Sequence, residues 1–297
     1  MAPLFIGSGV ALVTPFDKDG KINYSRLKEL IEFQIANHTD AIVVCGTTGE
    51  GSTLSVCERL KMFELAVETV NNQIPVICGT GSNSTSFSLE FAKEAEKLGI
   101  DAHLSVTPYY NKTSQKGLID HYYKLADNLS KPVIVYNVPS RTGMNISPAT
   151  YKKLSVHPNI VGVKEADTNI SKLIKSLVIC EDNLDFYIGN DDLISVATAL
   201  GCKGVISVLA NILPQYTHEM TLKGCNGNCT ECASMQKKIM DFVECLFIDV
   251  SPIIIKEVMN RCGFDVGKCR LPLVDTCEEY SKIIDNILIE YKDLLKF

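Results

Sequence analysis

The chain has 297 residues, 46% hydrophobic and 22% charged, a balance that fits an ordinary globular protein with a large core and excludes disordered, collagenous and coiled-coil classes. Its 29 basic and 35 acidic residues give a formal net charge of −6, which repels phosphate backbones and argues against nucleic acid or an anionic membrane as a partner. Residues 1–16 carry no basic leader region and are broken by Gly7, Gly9 and Pro15, and no run approaches the roughly 18 uninterrupted apolar residues of a membrane span, so a cytoplasmic protein is expected.

In chain order, short apolar runs alternate with longer stretches of helical periodicity, the pattern of βα units around a parallel sheet. Strands are expected at 9–14, 40–46, 75–79, 102–107, 132–138, 160–165, 185–189 and 204–208. Most are rich in Val and Ile without polar alternation, as strands buried on both faces should be. Between them helices are expected at 25–36, 56–71, 86–98, 115–128, 148–154, 170–179, 193–200 and 213–223. Ser55 with Glu58 three residues on, and Ser147 before Pro148, mark two of the helix starts. Eight evenly spaced units with polar strand ends predict a (β/α)8 barrel, a TIM barrel, over residues 1–224. The remainder, 225–297, predicts a C-terminal helical appendage packed on the barrel, with helices at 230–247, 252–261 and 276–297 and no Pro/Gly/Ser linker before them.

In such a barrel the reacting groups sit at the C-terminal ends of the strands. The second strand ends in Gly46-Thr47-Thr48-Gly49-Glu50, whose glycines would let the backbone turn and point N–H groups at a carboxylate. The fourth ends in Thr107-Pro108-Tyr109-Tyr110-Asn111, two adjacent aromatics that cannot face the same way, so one is expected to face a partner or a neighbouring loop. The fifth ends in Tyr136, a buried ring whose hydroxyl could carry protons, followed by Arg141 as a fork for a carboxylate. The sixth places Lys164 inside an apolar run, where burial disfavours the ammonium and leaves a neutral amine to attack a carbonyl. Each has a plainer alternative: a tight turn, a packing tyrosine, a solvated arginine, a snorkelling lysine. Together, with no metal cluster and no nucleotide fingerprint, they suit imine chemistry on a keto acid without a cofactor.

Across residues 46–50, 107–111, 136–143, 162–166, 189–191 and 204–208 the sequence resembles the dihydrodipicolinate synthase and N-acetylneuraminate lyase superfamily, and the likeness runs the length of the chain. The resemblance implies that Lys164 forms a Schiff base with pyruvate and that Tyr136 shuttles protons. It implies that Thr47 links that phenol to Tyr110, which reaches in from a neighbouring subunit of a homodimer or homotetramer. Thr48 would bind the pyruvate carboxylate, with Gly189 and Ile206 lining the site. Arg141, in Ser140-Arg141-Thr142-Gly143, would hold the carboxylate of L-aspartate-4-semialdehyde, and because the lyases lack this arginine the synthase branch is preferred. The runners-up are a pyruvate-dependent aldolase with another aldehyde and a catalytically silent barrel.

The superfamily's lysine-feedback site falls on Gly51, Ser52, Val56, Arg59, Asn83, Phe87 and Tyr109. Asn83 and Tyr109 match, but Val56 and Arg59 replace two histidines and Phe87 a glutamate, so inhibition by L-lysine is expected to be weak or absent. Most of the twelve cysteines read as buried reduced thiols. Cys225, Cys229 and Cys232 have metal-like spacing but no evident fourth ligand, and they read as a reduced surface loop before the next helix in preference to a zinc site.

Overall fold

A computed structural model describes residues 2–295 of the chain, so Met1 and the last two residues of the expected 276–297 helix lie outside it. Each Val/Ile-rich run forms a parallel strand: β1 Gly7–Ala11, β2 Ala41–Val44, β3 Val76–Gly79, β4 Ala102–Val106, β5 Val133–Asn137, β6 Ile160–Glu165, β7 Asp185–Ile188 and β8 Gly204–Ser207. They follow one another in order around a closed barrel. The last seam joins β8 to β1, where Gly204 stands beside Gly7. A Cβ on Gly204 would lie 1.9 Å from the Gly7 carbonyl oxygen, so closure requires glycine there.

The missing polar alternation has a direct cause. Ala41 and Val43 of β2 face the barrel interior while Ile42 and Val44 face the helices, and both sides are dry. The floor of the barrel is closed by Phe5, whose ring stacks on Tyr187 at 4.3 Å between centroids while its carbonyl accepts the Tyr187 hydroxyl at 2.9 Å.

The helices are α1 Tyr24–Ala36, α2 Val56–Val70, α3 Thr85–Glu96, α4 Gln115–Ala126, α5 Pro139–Thr142, α6 Pro148–Leu154, α7 Ile170–Cys180, α8 Ile194–Ala199, α9 Pro214–Cys225, α10 Cys229–Leu246, α11 Ile253–Arg261 and α12 Glu278–Glu290. At the start of α2 the Ser55 hydroxyl accepts from Glu58 N–H and the Glu58 carboxylate accepts from Ser55 N–H, the reciprocal cap expected from the sequence. Ser147 caps α6, with Pro148 at its first position. The last helix is shorter than its periodicity predicts, since 291–294 form a turn. No helix among the described residues is long and apolar enough to cross a membrane.

After α9, helix α10 packs on α8, α9 and α12. The region is also tied to the barrel by a buried ion pair, Lys256 Nζ to Glu50 Oε1 at 3.0 Å. The cysteine cluster is a helix junction and not the loop expected: Cys225 ends α9, Cys229 opens α10 exposed, and Cys232 is buried inside α10 against Thr198. Among the described residues no three His, Cys, Asp or Glu side chains are arranged to hold a metal. All twelve cysteines are free, six of them buried.

Candidate active site

Strand alternation divides β6 into two chemistries. Lys164 points into the barrel, and its cross-strand neighbour in register is Tyr136 of β5. The Lys164 Nζ lies 4.7 Å from the centroid of the Tyr136 ring, and both residues are 6% exposed. Among the described residues this ammonium has no ion pair and no hydrogen bond. Glu165, one residue on, faces the helices. Its carboxylate accepts from Tyr151 Oη at 2.7 Å, Asn137 Nδ2 at 2.7 Å and Asp167 N at 2.9 Å, and burial pushes its pKa up.

Gly189, just past β7, leaves room for the lysine: a Cβ there would come within 3.1 Å of Lys164 Cε and 3.0 Å of Ala166 Cβ. Ile206 of β8 is fully buried in the same interior cluster as Tyr136. A cavity of about 520 Å³ opens at Tyr136, lined also by Thr47, Leu104, Val106, Val138 and Arg141, whereas Lys164, Gly189 and Ile206 are not part of its lining. Thr47 therefore meets Tyr136 at one cavity, while Thr48 beside it is buried at 4% exposure and is not part of the lining.

The segment carrying Arg141 is not a loop. Pro139 opens a single helical turn, α5, which Gly143 ends in a left-handed conformation at φ +65°; proline at the first helical position was the available sign. The turn is pinned from two sides. Thr107 Oγ1 at the end of β4 donates to Thr142 Oγ1 at 3.1 Å, and Arg141 Nη2 donates to the Ser251 carbonyl of the C-terminal region at 3.0 Å.

Two expectations separate from this group. Tyr110 has φ +68° and is 92% exposed, and Tyr109, not Tyr110, lines the cavity. Within one chain, then, Tyr110 is not brought to Thr47 and Tyr136. Glu50 does not help form an anion cradle: it turns away from the cavity, at φ +53°, to pair with Lys256 and to accept Arg270 N–H at 2.8 Å. Asp191, for which the sequence suggested no role, is fully buried, and its Oδ2 accepts Val208 N at 2.9 Å and Leu209 N at 3.0 Å, fixing the chain as it leaves β8. Burial raises its pKa, and Ser207, the two backbone amides and the charge of Lys164 oppose that rise.

Residues 4–290 match the model of the dihydrodipicolinate synthetase family. The chain belongs to that family. Among family members, it is 50% identical over 276 residues to 4-hydroxy-tetrahydrodipicolinate synthase 1 of Clostridium acetobutylicum, covering 93% of this chain and 94% of that one. It is 48% identical to the 4-hydroxy-tetrahydrodipicolinate synthase of Acetivibrio thermocellus over 97% of this chain and 98% of the relative. A family structure, the dihydrodipicolinate synthase of Acinetobacter baumannii solved with pyruvate, superposes with a TM-score of 0.94 at 38% identity, covering 97% of this chain and 98% of that one. Family membership makes the chain an enzyme, a lyase, on the barrel described above.

Proposed function

We propose that the chain is a class I aldolase that condenses pyruvate with L-aspartate-4-semialdehyde and cyclises the adduct to 4-hydroxy-tetrahydrodipicolinate, the entry into diaminopimelate and lysine biosynthesis. The observation that carries this reading is Lys164: a buried amine free of ion pairs and hydrogen bonds among the described residues, against the ring of Tyr136, which itself lines a cavity of substrate size.

Lys164 attacks the pyruvate ketone, and water leaves as the imine forms. Loss of a methyl proton gives the enamine, whose carbon adds to the aldehyde while the aldehyde oxygen takes up a proton. The amine of the second substrate then attacks the imine carbon, closing the ring and releasing Lys164. Tyr136 carries the protons, which asks only that its hydroxyl reach the reacting atoms. Thr48 holds the pyruvate carboxylate, Gly189 and Ile206 shape the pocket, and Arg141, already oriented by Ser251, holds the carboxylate of the second substrate. The chemistry needs no cofactor, since the imine itself accepts the electron pair. In this reading residues 1–224 are the catalytic barrel and 225–297 the helical region that braces it.

The exposed Tyr110 supports a homodimer or homotetramer in which it completes the Thr47–Tyr136 relay of a neighbouring subunit. Hybrids of a Tyr110→Phe chain with a Lys164→Ala chain regain one complete site and hence activity; inactive hybrids would remove the shared site. Weak or absent inhibition by L-lysine is supported by the cavity wall, where the Arg59 guanidinium and the Phe87 ring offer a second ammonium no anion. Initial rates against L-lysine at subsaturating pyruvate check it, and strong inhibition would refute it. The central test is borohydride with pyruvate: one reduced pyruvate per chain, mapping by mass spectrometry to Lys164. An adduct on another lysine, or none, defeats the assignment.

A further inference from the structure

The alternation of β6 is broken once, and the break decides which side chain enters the barrel. Ile160 and Val163 are three residues apart, yet both belong to the outer core between strands and helices, while Val161 packs on the interior cluster. In register, Val133 of β5 stands beside Ile160 and Ile134 beside Gly162, so Val161 is an extra residue, a bulge. Counted from Ile160 with strict alternation, Glu165 would face the barrel and Lys164 the helices. The extra residue reverses them.

A bulged register has to be held beyond the bulge, because a one-residue slip restores regular pairing. The pair immediately past Tyr136 and Lys164 can hold it. Asn137 and Glu165 are neighbours in register, 0% and 2% exposed, and Asn137 Nδ2 donates to Glu165 Oε1 at 2.7 Å while the Asn137 carbonyl accepts from Ala166 N at 2.9 Å. Glu165 is fixed in turn by the Tyr151 hydroxyl and the Asp167 N–H, with Lys172 Nζ 3.6 Å from Oε2 as its countercharge. Asn137 also reaches the other way: its Nδ2 donates to Asn145 Oδ1 at 3.0 Å and its Oδ1 accepts from Ile146 N at 3.2 Å, just beyond the turn that carries Arg141.

We propose that Asn137 and Glu165 are positioning residues for the reaction, a clasp that holds the bulged register, keeps the Lys164 amine against Tyr136 and ties the Arg141 turn to the same strand ends. This role presupposes Lys164 as the nucleophile read above, and neither member of the clasp lines the cavity. A brace that served stability alone would leave the chemistry of folded enzyme untouched. A clasp that aims the amine acts on the rate at saturating pyruvate and not on the pyruvate concentration needed to reach it.

The test mixes enzyme with saturating pyruvate, quenches with borohydride at timed intervals and follows the Lys164 adduct by mass spectrometry. Asn137→Ala and Glu165→Leu are expected to slow adduct formation about tenfold or more, with the half-saturating pyruvate concentration little changed. Glu165→Gln keeps an oxygen that can accept from Asn137 and from the Asp167 N–H, and should react about fivefold or more faster than Glu165→Leu. Lys256→Met, destabilised through Glu50 instead, should stay within about threefold of the wild type. Asn137→Ser is the milder variant should Glu165→Leu not fold. Wild-type rates in the Asn137 variants, equal slowing in Glu165→Gln and Glu165→Leu, or equal slowing in Lys256→Met would overturn the proposal. Should the wild type form no adduct, the aldolase reading fails by itself and crystal structures decide the clasp: in Asn137→Ala the distance from Lys164 Nζ to the Tyr136 ring centroid is expected to depart from 4.7 Å by about 1 Å or more, and an unchanged distance refutes it.

Discussion

Lys164 and Lys256 are two buried amines with opposite surroundings. Lys256 is 1% exposed, and all three of its N–H donors are used: to Thr14 O at 3.0 Å, to Glu50 Oε1 at 3.0 Å and to Lys268 O at 2.8 Å, with the Phe16 ring 4.3 Å away. Burial lowers its pKa and Glu50 opposes that shift. Lys164 is nearly as buried yet has no hydrogen bond and no ion pair among the described residues, with the ring centroid of Tyr136 4.7 Å from its amine. Burial alone therefore does not mark a reactive lysine. A saturated ammonium is a brace, and one whose donors are unused is available for chemistry.

The comparison breaks first at Lys164 if it is wrong. Lys164→Ala is expected to abolish the pyruvate adduct and lower kcat on the order of 10³-fold or more with the fold retained, read from mass spectra, steady-state rates and circular dichroism. Lys256→Met should do the reverse: the adduct on Lys164 still forms, while stability falls by about 3–5 kcal/mol because Glu50 is left as an unpaired buried charge. Chemical denaturation measures this, and adding Glu50→Leu should recover much of the loss.

Arg141→Ala sharpens the contrast inside the site. Loss of a charge-assisted contact is expected to reduce kcat/KM for the semialdehyde about 10- to 100-fold while the adduct persists. Equal loss of both would place Arg141 with the brace. The smallest effect concerns Glu58, whose hydrogen bonds to Arg270 hold its carboxyl at about 2. Its folded pKa lies below the ordinary value, so the pair contributes above roughly pH 4.5 and is lost as pH falls through about 2. Glu58→Gln should lower Tm by roughly 1–3 °C near neutrality, a difference that closes in acid.

All eight strands were legible because each is apolar on both faces and punctuated by turns, a local property. Lys164 and Tyr136 were legible for the same reason: a polar residue at the end of an apolar run has few places to point. What stayed hidden was long-range. Glu50 belongs to a glycine-flanked motif that reads as a ligand turn, and its actual partner lies 206 residues away. Arg59 reads in the sequence as a replaced histidine of the superfamily's feedback site, and only packing shows its guanidinium buried 4.1 Å from the centroid of the Phe91 ring with no carboxylate in ion-pair distance among the described residues. Ser251 holds Arg141 through a backbone carbonyl, an interaction that side-chain identity does not encode. Helix ends also drifted, most at α12, where periodicity continues past the last helical residue.

The pairing of Glu50 with Lys256 has a consequence for recombination. Thr47 and Glu50 share one turn, closed by the Glu50 N–H to Thr47 carbonyl bond at 3.0 Å, so the proposed catalytic rim and the C-terminal helices are anchored through the same five residues. A chimaera that exchanges the end of the chain with a relative, at any crossover between β8 and α11, inherits the reaction rim from one parent and its anchor from the other. Such hybrids should keep their stability where the donor supplies a lysine opposite Glu50 and should lose about 3–5 kcal/mol of it where it does not, with the rim still formed, which makes position 256 the first residue to match when choosing a parent.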